Sequence, residues 1–170
     1  MNGVPNASHI KDKLVEMTHL NETIYGMGIA ASLKSEATPA GNFQPDVMLA
    51  NGCKHHVTRF PYEIARLAQD LAGGVMVTLP SDADFESEDV GPTLRKYMAA
   101  APGVDSDDRR RVLRLIENMT MGRNAVGYLT ESMHGAGSPA AQRVVMQKLG
   151  QIEAKRGYAR AIAGCGGCGV

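Results

Sequence analysis

An all-α antiparallel helical bundle follows from three features of the sequence. Apolar residues recur at helical spacing over several long stretches, glycine and proline punctuate those stretches, and no two apolar runs pair as strands. The first stretch runs through Ile10, Leu14, Met17, Leu20, Ile24 and Met27, which draw one stripe along a helix that Ser8 is placed to cap. Gly26, Gly28 and the Pro39–Gly41 turn are expected to weaken and end it.

A second stripe follows at Val57, Phe60, Ile64, Leu67 and Leu71, and Gly73 with Gly74 stops it. Pro61 inside this pattern requires a kink or a helix restart near Phe60, because proline lacks the backbone donor and clashes with the turn before it. Val75–Leu79 has local strand character but stands alone, so an extended connector is expected, and the acidic stretch Asp82–Asp89 reads as a surface loop. Pro92 begins a short helix carrying Leu94, Tyr97 and Met98. Ser106 with Asp107 and Asp108 forms the next helix start, with Val112, Leu113, Ile116 and Met119 as its buried face. A last helix is expected from Ser138 and Pro139 toward Ile162, burying Val145, Leu149 and Ile152.

Composition narrows the function classes. A chain of 170 residues with 44% hydrophobic content is long enough for one domain with its own core and too short for a large multidomain enzyme. The formal net charge of +0 argues against nucleic acid as a partner, and the Arg109–Arg111 run reads as a solvated helix face. No apolar run approaches the roughly 20 residues that cross a bilayer. The early Asn6, His9, Lys11 and Asp12 leave no room for a secretory apolar core, so a soluble cytoplasmic protein without membrane contact is expected. No internal repeat is visible, and the ten methionines read as adaptable core filler.

Four segments are candidates for chemistry. Thr130–Pro139 places Glu131 and His134 one helical turn apart before Gly135 and Gly137. Ser138 and Pro139 then suit the opening of a new helix. Taken alone, Glu131 and His134 are either a proton-transfer site or a surface pair. Gln69-Asp70-Leu71-Ala72-Gly73-Gly74 is either an ordinary glycine helix stop or a place where a nucleotide meets bare backbone, without the strand context of a dinucleotide fold. Cys53, His55 and His56 lack a fourth ligand at sensible spacing, and adjacent histidines on a helix diverge, so no metal site is assigned there. Cys165 and Cys168 form a single CxxC in a glycine-rich end, 165–170, which is either a metal-binding or redox pair, though it supplies only two ligands, or, as expected, a flexible tail. With Cys53 they make an odd count that disfavours a disulfide framework.

Five blocks in order carry a resemblance. They are Ala7–Leu14, Glu16–Thr23, Val57–Ile64, Arg66–Gly74 and Thr130–Pro139, the last containing ESMHGAGS. From about Gly3 to Gly164 the chain resembles the C-terminal portion of the 4-hydroxybutyryl-CoA dehydratases, a branch of the flavin-dependent 4-hydroxyphenylacetate 3-hydroxylase family. The resemblance implies a helical C-terminal domain over 1–164, of the acyl-CoA dehydrogenase-like kind, N-terminally truncated relative to the family. It also implies packing of this domain against upstream domains and a neighbouring subunit, hence a homo-oligomer.

The same resemblance implies FAD, a four-iron, four-sulfur cluster and an acyl-CoA substrate. The activity it implies is conversion of 4-hydroxybutyryl-CoA to crotonyl-CoA through a ketyl-like radical, with vinylacetyl-CoA isomerisation. It implies acid/base work for Glu131, substrate-side support from His134 and Gly135, and FAD contact by Gln69, Asp70, Gly73 and Gly74. The family's cluster ligands and a catalytic His, Tyr and Lys lie upstream of the region matching Gly3. The chain is therefore expected to be inactive until an upstream half or complementary chain completes it. Its Asp82–Pro92 loop looks shorter than the family's, and its cysteine tail has no family counterpart. The alternatives are an aromatic hydroxylase of the same family, which ESMHGAGS disfavours, and a non-catalytic helical oligomerisation domain.

Overall fold

Helices dominate the computed structural model, which describes residues 2–165. The order is α1 (Ser8–Leu33), a hairpin of β1 (Glu36–Ala37) and β2 (Phe43–Gln44), α2 (Val47–Val57), α3 (Phe60–Ala72), a 3-10 turn (Gly74–Met76), α4 (Asp82–Glu86) and α5 (Gly91–Met98). There follow α6 (Ser106–Thr120), a π-helical turn (Val126–Thr130), α7 (Glu131–Ala136), α8 (Pro139–Leu149) and α9 (Ile152–Ile162). The hairpin pairs antiparallel, Glu36 opposite Gln44 and Ala37 opposite Phe43, and is the sole sheet among the described residues.

The long first helix carries the expected stripe, with Leu20 buried and Ile10, Met17, Ile24 and Met27 half-buried, while Leu14 is exposed. It differs at both ends. Ala7 occupies the N-cap and Ser8 is the first helical residue without capping, and the helix continues through Gly26 and Gly28 to Leu33. Helix–helix packing overrides the modest propensity cost of the two glycines. At Gly52 of α2 a side chain would collide with Met27, so the missing Cβ lets α2 lie close against α1. The sequence stripes did not mark that helix, since polar residues interrupt Val47, Met48, Leu49, Cys53 and Val57; one of them, His55, meets Gln142 of α8.

The proline restart is found where it was expected: α2 ends at Val57, Thr58 and Arg59 break the ladder, and Pro61 enters the first turn of α3. Ala65, Leu67 and Ala72 face inward, and the helix stops at Gly73, whose φ of 76° lies in the region open to glycine.

Beyond Gly73 the sequence expectations need several corrections. Val75–Leu79 is no extended connector: a 3-10 turn inserts Met76 into the core formed with Ala72 and Leu113, around which Val75, Leu79, Met98, Ile116 and Met121 pack. The acidic stretch is no loop. Ser81 and Asp84 form a reciprocal capping box, and α4 buries Phe85 completely beneath the Arg110 guanidinium, 5.1 Å from the ring centre.

Asp105, rather than Ser106, caps α6 by accepting from the Asp107 and Asp108 amides. On that helix Leu113 is fully buried and Ile116 half-buried, but Val112 and Met119 face outward. Of the arginine run only Arg111 is solvated. Arg109 bonds the Met98 carbonyl and Asn2, and Arg110 pairs with Asp82.

The last helix is two helices. At Gly150 a side chain would collide with the Met146 carbonyl, Gln151 takes the left-handed conformation (φ 50°), and α9 restarts at Ile152. Val145 is half-buried, but Leu149 and Ile152 are exposed, and so is every residue of α9. Ser138 sits at the N-cap of α8 without a side-chain bond. No helix among the described residues is long and apolar enough to cross a membrane.

Candidate functional site

Upstream of Glu131 the backbone departs from α geometry. Val126–Thr130 wind as a π turn, and the Ser132 hydroxyl donates to the Gly127 carbonyl five residues back (3.2 Å). Such single π turns recur at functional sites because they bend a helix and redirect its side chains. Glu131 is the first residue of α7 and His134 lies one turn later; both are exposed.

The Glu131 carboxylate lies toward Gly127: a methyl group there would sit 3.8 Å from Oε2. The hydrogen bonds and ion pairs among the described residues leave that carboxylate unengaged. Its oxygens are therefore open to a further partner. The His134 carbonyl accepts from the Gly137 amide (3.0 Å), and the space beside the Gly135 backbone is open. Gly137, at φ 87°, makes the turn that lets Pro139 begin α8.

The far end of α7 is held by a residue that the sequence reading passed over. Gln142 of α8 is 3% exposed, and its Nε2 donates to the Ala136 carbonyl (2.8 Å) and the Gly137 carbonyl (3.1 Å). Its Oε1 faces His55 Nδ1 of α2 at 3.2 Å. Three helices thus meet at one carboxamide.

The glycine corner lies at the end of α3. Gly73 and Gly74 are exposed, and nothing lies within 4 Å of where their side chains would project. Gln69 Nε2 donates to the Thr120 carbonyl (3.2 Å), tying α3 to the end of α6 and leaving its amide oxygen for another partner. Asp70 Oδ2 lies 2.7 Å from Lys13 Nζ of α1. The hydrogen bond from Lys13 holds the Asp70 carboxyl below the usual carboxylate range, against an opposing effect of partial burial. Besides α6, α3 packs on the π turn, so the corner and the Glu131 segment belong to neighbouring elements.

Cys53, His55 and His56 do not converge. The Cys53 thiol points to the Ile24 carbonyl (3.3 Å), His55 turns to Gln142, and His56 stacks on Phe60 with centroids 4.4 Å apart. Burial, then the neighbouring His55 and Arg59, push the His56 imidazole below its ordinary value, and its Nδ1 has no partner. No group of three or more His, Cys, Asp or Glu that could hold a metal ion occurs among the described residues. Cys165 is exposed, whereas Cys168 and the rest of the expected tail, 166–170, lie outside the described residues.

Comparison with known proteins places this geometry in context. The model of the 4-hydroxyphenylacetate 3-hydroxylase C-terminal family matches residues 1–164. The 4-hydroxybutyryl-CoA dehydratase/vinylacetyl-CoA-Delta-isomerase of Clostridium aminobutyricum is 57% identical over 171 aligned positions, covering 96% of this chain and 35% of that protein. A solved oxygen-tolerant archaeal 4-hydroxybutyryl-CoA dehydratase from N. maritimus superposes with a TM-score of 0.90 at 60% identity, over 98% of this chain and 33% of that one. The oxygenase component of 4-hydroxyphenylacetate 3-monooxygenase, solved with FAD and 4-hydroxyphenylacetate, shares the fold. Its TM-score is 0.82 at 20% identity, over 94% of this chain and 33% of that one. The chain spans about a third of the length of these relatives.

Proposed function

The chain belongs to the 4-hydroxyphenylacetate 3-hydroxylase C-terminal family, and on that premise we propose that it forms the C-terminal part of a 4-hydroxybutyryl-CoA dehydratase. The reaction is loss of water from 4-hydroxybutyryl-CoA to give crotonyl-CoA, with the accompanying vinylacetyl-CoA double-bond shift. The observation that carries this reading is the 57% identity to the clostridial dehydratase across nearly the whole chain, against the 20% shared with the oxygenase component. Glu131 is the proposed acid/base, taking a proton from the acyl chain of the thioester and returning it. Its unengaged carboxylate beside Gly127 supports that role. His134 and Gly135 line the substrate side, where their exposure leaves room for the acyl-CoA.

The corner at the end of α3 fits FAD. Gly73 and Gly74 offer uncovered backbone, the Gln69 amide keeps an unused acceptor, and the half-exposed Asp70 carboxylate accepts a hydroxyl. When bound, the flavin supplies one-electron chemistry. The described residues do not fit a four-iron, four-sulfur cluster, since they hold no group of metal-ligating side chains. We place the cluster's ligands in the upstream part of the enzyme. That part joins residues 1–164 either in one polypeptide or as a complementary chain, within a cytoplasmic homo-oligomer.

The test is to co-express the 170-residue chain with the upstream two-thirds of the clostridial relative and to measure bound flavin, iron-sulfur absorbance and crotonyl-CoA formation. Dehydration only in the combined preparation supports the reading. Full activity of the 170-residue chain alone overturns its dependence on an upstream part. Hydroxylation of 4-hydroxyphenylacetate without dehydration would transfer the chain to the oxygenase branch.

A second reading has its own observation. Tyr25, Ile29 and Leu33 form an exposed stripe on α1, and Tyr158 and Ile162 stand exposed on α9, Ile162 at 88%. A helical oligomerisation module would cover such faces. Concentration-dependent self-association of the chain alone, without flavin uptake in the combined preparation, favours it.

A further inference from the structure

We propose that Gln142, steadied by His55, is a positioning residue that sets where the Glu131 carboxylate stands. The inference rests on Glu131 being the reacting carboxylate, and it deepens that reading by naming what holds the group. Glu131 is exposed, and no hydrogen bond or ion pair among the described residues restrains its side chain, so its place is set by the backbone of α7. That short helix is anchored at two points. At its start, Ser132 bonds the Gly127 carbonyl across the π turn. At its end, the Ala136 and Gly137 carbonyls are among the acceptors that a helix terminus leaves without intrahelical partners, and both receive Gln142 Nε2.

The chemistry of the carboxamide leaves one arrangement. Flipping the amide would set Oε1 against two carbonyl oxygens, so Nε2 must face them with both of its hydrogens. Oε1 is then an acceptor, and His55 must carry a proton on Nδ1 to donate to it. The contact ties α2 to α8 across 87 positions of sequence, whereas an ordinary helix cap is local. Near-complete burial of Gln142 removes water as a substitute partner, so its loss leaves two carbonyls uncompensated.

Gln142→Leu and Gln142→Glu test the proposal together. Leucine removes the donors while filling a similar volume; glutamate keeps an acceptor for His55 but sets a carboxylate against the two carbonyls. In the 170-residue chain, amide hydrogen exchange over 131–138 is expected to quicken about tenfold or more, the equivalent of one lost buried hydrogen bond, while α3 and α6 exchange as before. In the enzyme completed with its upstream part, kcat is expected to fall about tenfold with KM and flavin content unchanged, as for a displaced catalytic group.

Unchanged exchange over 131–138 would overturn the proposal, as would acceleration spread evenly through α2, α3 and α6, or quickened exchange with unaltered kcat. If neither Gln142 variant folds, His55→Leu is decisive. It removes only the outer bond and should move exchange and kcat in the same direction by a smaller factor, and no change in either would overturn the proposal. Glu131→Gln is run in parallel: full turnover there sinks the acid/base reading itself, whereas impaired turnover there with normal Gln142 variants sinks only the positioning role.

Discussion

Lys13 of α1 and Asp70 of α3 meet at 2.7 Å, joining the first helix to the glycine corner at which a flavin is proposed to bind. Because Lys13 holds the Asp70 carboxyl below the usual range, the folded state retains the carboxylate where the unfolded chain would already take up a proton. The resulting stabilisation is present at neutral pH and is lost as the pH falls below about 4. Chemical denaturation of Asp70→Asn as a function of pH should show that acid-side slope diminished. Both side chains are accessible to solvent, so the effect at neutral pH should be small, and about 0.5 M salt should weaken it further.

His56 titrates in a different window. Its folded imidazole is held below the ordinary value by burial, His55 and Arg59, so protonation favours the unfolded chain. Stability should therefore be full above about pH 6.5 and decline as the pH drops through the folded value. His56→Phe keeps an aromatic ring against Phe60 and removes the titration. Denaturation midpoints measured between about pH 7 and 5 should vary less in that variant. An unchanged slope would assign the dependence to another group.

Gly73→Ala asks whether the corner needs its backbone geometry. With φ at 76°, alanine strains the turn and should destabilise the chain by about 1–2 kcal/mol, although the site has open space for the methyl group. In the completed enzyme the same change should lower flavin content, because the added carbon stands where bare backbone was offered. Loss of stability with normal flavin content would make Gly73 a helix stop and no more.

Glu131→Gln removes the proposed proton carrier and retains its shape. Turnover in the completed enzyme should fall by about 10²–10⁴-fold with bound flavin and thermal stability intact, because the exposed side chain makes no hydrogen bond or ion pair among the described residues. Parallel loss of flavin and activity would mark Glu131 as structural.

Leu113→Ala should destabilise by about 3 kcal/mol, since the side chain is fully buried between Ala72 and Met76. Urea denaturation measures this directly. A cost below about 1 kcal/mol would mean that the surrounding methionines collapse into the space.

What could be read from sequence was whatever a few neighbouring residues decide. The α1 stripe, the restart at Pro61, the stop at Gly73 and the turn through Gly137 into Pro139 depend on helical periodicity, proline's missing donor and glycine's freedom at positive φ. The Glu131 segment was legible as a candidate for the same reason, since a carboxylate and an imidazole one turn apart precede a glycine turn. Phe85 was not legible, because one aromatic in an acidic stretch carries no periodicity, and its burial under Arg110 depends on α6, far along the chain. The break at Gln151 was equally hidden: the apolar pattern passes through it, and the left-handed residue there is not a glycine.

By itself, then, the sequence determined a helical chain, its principal breaks and the segments that carry chemistry, since these follow from local backbone and side-chain preferences. Only the tertiary structure decided that Gln142 is buried between His55 and the end of α7, that Asp70 is paired with Lys13, and that Glu131 has no hydrogen-bond or ion-pair partner among the described residues. Burial and hydrogen-bond pairing are properties of groups brought together from separate helices, and no spacing along one helix encodes which polar side chain will be enclosed.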